Sequence, residues 1–202
     1  MNRKSKWSTR NVIGAAVALA AFYWATHYTV LGFVEREHHF PRNIFEAARS
    51  GSTWQIGKFI ARGANVNAND DMGFTPLMWT ANRNKLPAAV YLISKGANVN
   101  VGGGGLTALR CALMNKNRRM VELLLHHGAK VNDRDENSQT PLLMLISMTS
   151  CFGKNERLAE LLIDHGADVN ARDKYKSSPL GYAERYQWDA TIRLLRAHGA
   201  KR

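Results

Sequence analysis

Apolar residues are distributed unevenly along the 202-residue chain, and two different patterns follow one another. Residues 12–34 form a run of 23 positions without a charged side chain. At about 1.5 Å per residue, a helix of that length rises about 34 Å, enough to cross a hydrocarbon layer of about 30 Å. From residue 43 onwards, apolar residues recur at helical spacing in short groups separated by polar turns. The pattern therefore predicts one transmembrane helix followed by a helical domain.

The charges on either side of the apolar run predict its orientation. The first ten residues contain four cations and no acid, whereas residues 35–42 contain two cations and two acids. The positive-inside rule then places the N-terminus in the cytoplasm and the rest of the chain across the membrane, which in a bacterium is the periplasm. A cleaved signal peptide is the alternative, since residues 18–20 resemble a cleavage site. Cleavage would leave an apolar new N-terminus, so a single-pass anchor in the inner (plasma) membrane is favoured.

The remainder of the chain repeats itself with a period near 33 residues. Gly-Ala-Asn-Val-Asn occurs at 63–67 and 96–100, related pentapeptides follow at 128–132 and 166–170, and Gly-Ala returns at 199–200. A second marker of the Thr-Pro-Leu type keeps the same phase and begins at Thr75, Thr107, Thr140 and Ser178. A hydroxyl followed by proline suits a helix start, and a glycine suits the left-handed residue after a helix end.

These two phased markers resemble those of the ankyrin repeat family. The resemblance implies an all-α solenoid of about five helix-pair repeats with β-turn fingers, preceded here by one N-terminal transmembrane helix. We place Arg196 on the apolar stripe of the last repeat, where a polar residue suits a C-terminal cap. The predicted boundaries are a basic tail at 1–11, the anchor at 12–34, a linker at 35–42 and the repeat domain at 43–202, with repeats at about 43–66, 67–99, 100–131, 132–169 and 170–202.

Two repeats depart from the common length. The third finger is one residue short and consists largely of the glycines at 102–105, which match neither a phosphate loop nor a dinucleotide motif. The fourth repeat is five residues too long, and the excess is predicted between its helices at residues 147–154. Loops of this kind often bind a partner, so Phe152 becomes a candidate contact residue, although local packing of its ring is an equal alternative.

The sequence contains no recognisable catalytic or metal-binding motif. Histidines before the repeat glycines recur one repeat apart and so do not predict a metal site. Cys111 on a helix and Cys151 in the long loop are predicted to lie too far apart for a disulfide. We therefore expect no enzymatic activity, no cofactor, no metal and no small-molecule substrate.

Charge indicates the kind of partner. The chain has a formal net charge of +12 and a pI near 10.0. Residues 43–202 alone contain 22 Lys and Arg against 14 Asp and Glu. A positive field steers acidic proteins, whereas nucleic acid is disfavoured because the basic residues are spread over all repeats. Adhesion to an anionic membrane surface is a further possibility, as only eight residues link the apolar run to the repeats.

The resemblance also implies which residues touch a partner, since fingers and first helices usually form the recognition surface. Carried over by position, the candidates are Met72, Phe74, Arg83, Leu106, Gln139, Lys174, Tyr175, Arg185 and Tyr186, to which Phe152 is added from the long loop. The predicted function is a tethered module that captures or inhibits an acidic periplasmic protein, with immunity against a toxin as one version. The alternatives are an envelope scaffold or stress adaptor with several partners and, if the topology is inverted, an adaptor facing the cytosol.

Overall fold

A computed structural model describes residues 41–102, 105–148 and 155–201 of the protein. The chain divides into two units, residues 1–40 and 41–202. The predicted anchor at 12–34 and the candidate Phe152 lie outside the described residues. Within the described ranges, no helix combines the length and the apolar character needed to cross a bilayer.

The second unit is built from pairs of short helices. In each pair a first helix of seven residues is followed by a second helix of nine. The described helices are α1 (Ile44–Ser50), α2 (Thr53–Ala61), α3 (Pro76–Asn82), α4 (Leu86–Ser94), α5 (Ala108–Met114), α6 (Arg118–His126), α7 (Pro141–Ser147), α8 (Glu156–Asp164), α9 (Pro179–Arg185) and α10 (Asp189–Ala197). The five pairs confirm the all-helical repeat architecture predicted from the sequence.

The hydroxyl markers start the first helices as the sequence predicts. The side-chain oxygens of Thr75, Thr107, Thr140 and Ser178 each accept a hydrogen bond from the backbone amide three residues later. Such a bond satisfies one of the orphan donors of the first helical turn. At the other end of each pair the marker glycines adopt positive φ, as at Gly96 with 86° and Gly128 with 82°. A residue with a Cβ would be strained there.

One apolar stripe on the second helices holds neighbouring pairs together. Its best-buried members, four residues before the last four marker glycines, are fully buried leucines at 92, 124, 162 and 195. The first helices pack against one another in chain order, α1 on α3, α3 on α5, α5 on α7 and α7 on α9. The stripe ends as predicted: Arg196 is exposed, and its Nη2 donates to Glu184 Oε1 at 2.8 Å. Replacing one such leucine with alanine costs about 2–5 kcal/mol of stability.

An asparagine ladder links each Gly-Ala-x-Val-Asn turn to the next. Asn100 shows the pattern: its Nδ2 donates to the Gly128 carbonyl at 3.0 Å and its Oδ1 accepts from the Lys130 amide at 2.8 Å. The same two bonds recur at Asn67, Asn132 and Asn170. The last asparagine of the pentapeptide is thus the residue that fixes the spacing between turns.

The predicted insertion lies where the sequence places it. Residues 148–155 connect α7 to α8, whereas three residues connect α3 to α4 and α5 to α6. The five extra residues therefore leave both helices of the fourth repeat at their ordinary lengths.

Candidate protein-binding surface

The fingers of the second and fifth repeats close on one aspartate each. Asp70 Oδ1 accepts from the backbone amides of Met72 and Phe74, both at 2.9 Å, and its Oδ2 accepts from Trp79 Nε1 at 2.6 Å. In the fifth repeat Asp173 binds the amides of Tyr175 and Ser177 in the same way, and its Oδ2 accepts from the Tyr182 hydroxyl at 2.6 Å. Each finger is therefore fixed to the first helix of its own repeat.

The finger of the fourth repeat is held by its own aspartate and by an arginine of the third repeat. Asp135 Oδ1 binds the amides of its own finger, but its Oδ2 accepts from Arg110 Nη1, 3.2 Å away on α5 of the preceding repeat. Arg110 Nη2 also donates to the carbonyls of Asp133, at 3.2 Å, and Gln139. Arg110 is 2% exposed, so the pair lies in a medium where a lost partner is costly.

Gly105 lets these two repeats approach closely, and Gly102 lets the third finger fold tightly on itself. A Cβ on Gly105 would lie 2.5 Å from the Cβ of Asp135, and Gly105 has a φ of 73°. A Cβ on Gly102 would lie 1.8 Å from the Leu106 carbonyl oxygen. A side chain at either position would therefore displace the backbone beside Asp135 or Leu106.

Three groups near these fingers have displaced pKa values. Burial lowers the pKa of Arg110, and the charges of Asp135 and Asp133 oppose that shift. The hydrogen bond to Asp173 raises the pKa of Tyr182. Burial raises the pKa of Cys111 to about 12, and Cys111 is a free, buried thiol. A thiol with that pKa is a weak nucleophile, and we assign it a packing role.

We call the surface formed by the fingers and the first helices the finger face. At its N-terminal end, the rings of Phe74 and Trp79 lie 4.9 Å apart, and the Arg49 guanidinium lies 5.5 Å from the Trp79 ring. Met72 at the fingertip is 68% exposed, while Phe74 is half-buried. This cluster offers an apolar ring surface edged by a cation.

A second aromatic cluster lies at the C-terminal end of the finger face. The rings of Tyr182 and Tyr186 stack at 6.4 Å, and Tyr186 lies 5.3 Å from the ring of Trp188. Arg185 lies 5.7 Å from the Tyr182 ring. Tyr175 is 72% exposed, with Lys174 Nζ 5.1 Å from its ring. Rings and arginines of this kind supply most interface hot spots.

The predicted contact residues divide between these two clusters and the region between them. Met72, Phe74 and Arg83 belong to the second repeat, and Lys174, Tyr175, Arg185 and Tyr186 to the fifth. The two middle candidates are half-buried: Leu106 packs against the core, and Gln139 donates from Nε2 to Ser147 Oγ at 3.3 Å. Arg49, Trp79 and Tyr182 are not among the contact residues predicted from the sequence. The spacing of the sequence could have indicated the two rings, because Trp79 and Tyr182 each lie nine residues after a finger aspartate.

Acidic residues are not spread along the repeats as the basic ones are. Residues 41–121 contain 11 Lys and Arg but only 3 Asp and Glu, whereas residues 122–202 contain 12 and 11. No acid occurs between residues 72 and 121. Arg49, Arg83 and Lys116 in the first half are exposed and form no ion pair with a described residue. The positive field of the repeats therefore originates in the first three.

Over the three described ranges, no group of three or more His, Cys, Asp and Glu side chains could hold a metal ion. What the geometry provides is a stack of helical hairpins with two partly exposed aromatic clusters and a charge that changes from basic in the first half to balanced in the second. These features are typical of a helical repeat solenoid of the protein-interaction class.

Comparison with known protein families names the class. The model of three consecutive ankyrin repeats matches residues 44–135, and the model of a single ankyrin repeat matches residues 137–174. The protein belongs to the ankyrin repeat family, whose members are in general non-catalytic interaction modules. The fifth helix pair, α9 and α10, extends the stack beyond the matched residues.

Curated relatives share the repeats rather than their whole architecture. The chain is 35% identical over 102 residues to palmitoyltransferase akr1 of Neurospora crassa, which covers 49% of this chain and 14% of that protein. It is 38% identical over 85 residues to an ankyrin repeat-containing protein of Treponema pallidum, covering 41% and 28%. An ankyrin repeat protein of fowlpox virus is 30% identical over 91 residues, covering 45% and 21%. The chain thus spans under a third of the length of each of these three relatives.

Proposed function

We propose that the protein is a membrane-tethered adaptor whose finger face captures an acidic protein partner in the periplasm. The basic charge of the first half carries this proposal, because 50 consecutive residues of the first repeats lack an acid. A surface with unpaired cations favours an acidic partner through the rate of encounter and through the rejection of basic competitors.

The two aromatic clusters supply the anchoring contacts in this proposal. Met72 and the Phe74–Trp79 pair meet the partner beside Arg49, and Tyr175 and Tyr186 meet it at the other end of the face. Charge recruits the partner at the first repeats, and ring burial then slows its release.

The tether in this proposal is the apolar run at 12–34, and its flanking charges favour a periplasmic repeat domain. Reporter fusions after residue 42 and at Arg202 test this topology. A reporter active only in the cytoplasm should be silent at both positions, and one active only in the periplasm should work at both. The reverse result would assign the repeats to the cytosol.

A charge-reversal pair tests the binding surface in the full chain. Arg49→Glu with Arg83→Glu should lower recovery of the acidic partner from membranes by about tenfold or more, since two exposed cations at the N-terminal end of the finger face become acids. Recovery is measured by quantitative mass spectrometry against wild type. An inhibitor of the immunity type should in addition abolish the activity of the partner that it captures.

The matched control reverses two exposed cations on second helices, Arg157 and Arg193, and makes the same change in net charge. The control should keep the partner. Equal loss in both double variants would show that net charge alone matters, and an enriched partner that is not acidic would refute the proposed chemistry.

A further inference from the structure

A shallow groove lies away from the finger face, between the second helices of the first two repeats. It has a volume of about 660 Å³ and is lined by α2 and α4, with Trp54, Pro87, Val90 and Tyr91 among its apolar walls. Trp54 is 63% exposed and Val90 is 48% exposed. Gly57 opens the floor, because a Cβ there would lie 2.7 Å from the Tyr91 hydroxyl.

Comparison with the later repeats shows that this surface is unusual within the chain. The second and fifth positions of α6 and α8 are charged, namely Arg119, Glu122, Arg157 and Glu160. The same positions of α2 and α4 hold Trp54, Gly57, Pro87 and Val90. Helices α6 and α8 thus keep a charged outer surface, whereas α2 and α4 expose a contiguous apolar strip.

The charged groups on the two helices of the strip and at the ends of these helices are all cationic. Lys58 Nζ lies 3.8 Å from the centre of the Trp54 ring, and Lys95 Nζ lies 5.5 Å from that of Tyr91. Neither α2 nor α4 contains an acid, and the residues that flank them add Arg62 and Lys85. An occupant of this groove therefore meets aromatic rings and ammonium groups but no carboxylate from either helix.

We infer that this groove docks onto the surface of an anionic phospholipid bilayer, with Trp54 inserted at the level of the headgroups. Trp and Tyr favour the membrane interface because one end of each ring system is apolar and the other is polar. Lysines beside them extend their ammonium groups to lipid phosphates while their stems cover apolar surface. Each such cation adds to the attraction of the groove to an anionic leaflet. A shallow strip without carboxylates has the charge complementarity that a lipid surface requires.

Docking of the groove is separate from the proposed tether, although a tether would raise the local concentration of lipid at the groove. The two can fail independently. If residues 12–34 do not anchor the chain, a carbonate wash releases it from vesicles whatever Trp54 does. If the groove does not dock, Trp54 stays in water whether or not the wash releases the chain.

The test follows the tryptophan fluorescence of the full chain reconstituted into vesicles that contain lipids brominated at the acyl-chain carbons nearest the headgroups. The difference between wild type and Trp54→Phe isolates the signal of Trp54. In vesicles rich in phosphatidylglycerol this difference signal should shift to the blue and lose most of its intensity. In purely zwitterionic vesicles, or at high salt, it should stay unquenched. Lys58→Glu should abolish the quenching in anionic vesicles.

Trp188 provides the matched control, because it is buried in the fifth repeat. The difference between wild type and Trp188→Phe should be unquenched in every vesicle. A Trp54 signal that stays unquenched in anionic vesicles overturns the inference. So does a Trp54 signal that is shielded from acrylamide but not quenched by brominated lipid, since it would show a protein neighbour in the groove.

Discussion

The second and fifth repeats differ from the third and fourth in how a finger is held. In the former, one aspartate closes the finger and accepts a bond from a ring on its own first helix, Trp79 or Tyr182. In the latter, the corresponding helix positions hold Cys111 and Met144, which supply no such donor. The third finger has glycine where the aspartate would stand, and Arg110 crosses to Asp135 of the next repeat.

The difference shows that a repeat protein can lose a local bond and replace it with one between repeats. A solenoid usually gains stability as a sum of units and nearest-neighbour contacts. Here the contact between the third and fourth repeats carries a buried ion pair that the others lack among the described residues. The junction also lies where the charge of the chain changes, between the basic first half and the balanced second half.

The largest expected effect comes from breaking this shared bond. Arg110→Met should lower the free energy of unfolding by about 3–5 kcal/mol, because removing one partner of a buried pair leaves Asp135 without its cation. Urea unfolding of the full chain in mild detergent, followed by circular dichroism, measures the loss. Unfolding should also become less cooperative, since the third and fourth repeats lose their link.

Arg118→Met is the control for this prediction. Arg118 pairs with Glu122 at 2.7 Å, but the two side chains are 52% and 42% exposed, so the loss should be about 0.5 kcal/mol. Equal losses in the two variants would show that the Arg110–Asp135 pair stabilises the fold no more than an exposed ion pair does. The contact between the third and fourth repeats would then owe no extra stability to this pair.

A smaller effect is expected from breaking a self-contained finger. Tyr182→Phe should cost about 1.5 kcal/mol, the lower end for a bond to a charged group, since Tyr182 is half-buried. The folded state raises the pKa of this acid, so the contribution is complete below its unfolded pKa of about 10 and is lost as the pH rises through the folded value.

Stability curves of wild type and variant against pH measure this prediction. The gap between the two curves should be constant around neutral pH and shrink in alkali. Tyr186→Phe, a ring stacked on Tyr182, is the control and should change neither stability nor pH dependence. A gap that widens in alkali would mean that the Tyr182 hydroxyl does not donate to Asp173.

The smallest effect is expected from the asparagine ladder, whose hydrogen bonds are the same in the repeats with self-contained fingers and in the third and fourth repeats. Asn67→Ala and Asn100→Ala each remove two exposed hydrogen bonds between turns and should each cost about 1 kcal/mol in urea unfolding. Similar values would show that the repeats differ in their fingers alone. A loss at Asn100 several times larger than at Asn67 would mean that the ladder also strengthens the special junction.

Much of the fold could be predicted because its signals are local. A hydroxyl before proline and a glycine after an apolar helix act through the backbone of their own turn, so Thr75, Thr140 and Ser178 cap helices where the sequence places them. The insertion in the fourth repeat could likewise be predicted by counting the residues between its two sequence markers. The candidate contacts at Tyr175 and Tyr186 followed from repeat position and are exposed in the structure.

The candidate site was harder to predict where partners lie far apart in the chain. Arg110 and Asp135 are 25 residues apart, and nothing in the spacing of the markers assigns an arginine of one repeat to an aspartate of the next. In the same way, Arg49 of the first repeat contacts Trp79 of the second, 30 residues later in the chain. The groove beside Trp54 depends on α2 and α4 lying side by side with Gly57 between them, which is a property of packing.

The sequence by itself determined the period, the helix starts, the repeat ends and the net charge, because each of these follows from neighbouring residues or from composition. Only the tertiary structure decided that Arg110 serves a finger in the next repeat, that Arg49 lies beside the ring of Trp79, and that Trp54 and Tyr91 line one apolar groove. The physical reason is that stacking brings residues about one repeat apart into contact, and those contacts depend on side-chain size and direction.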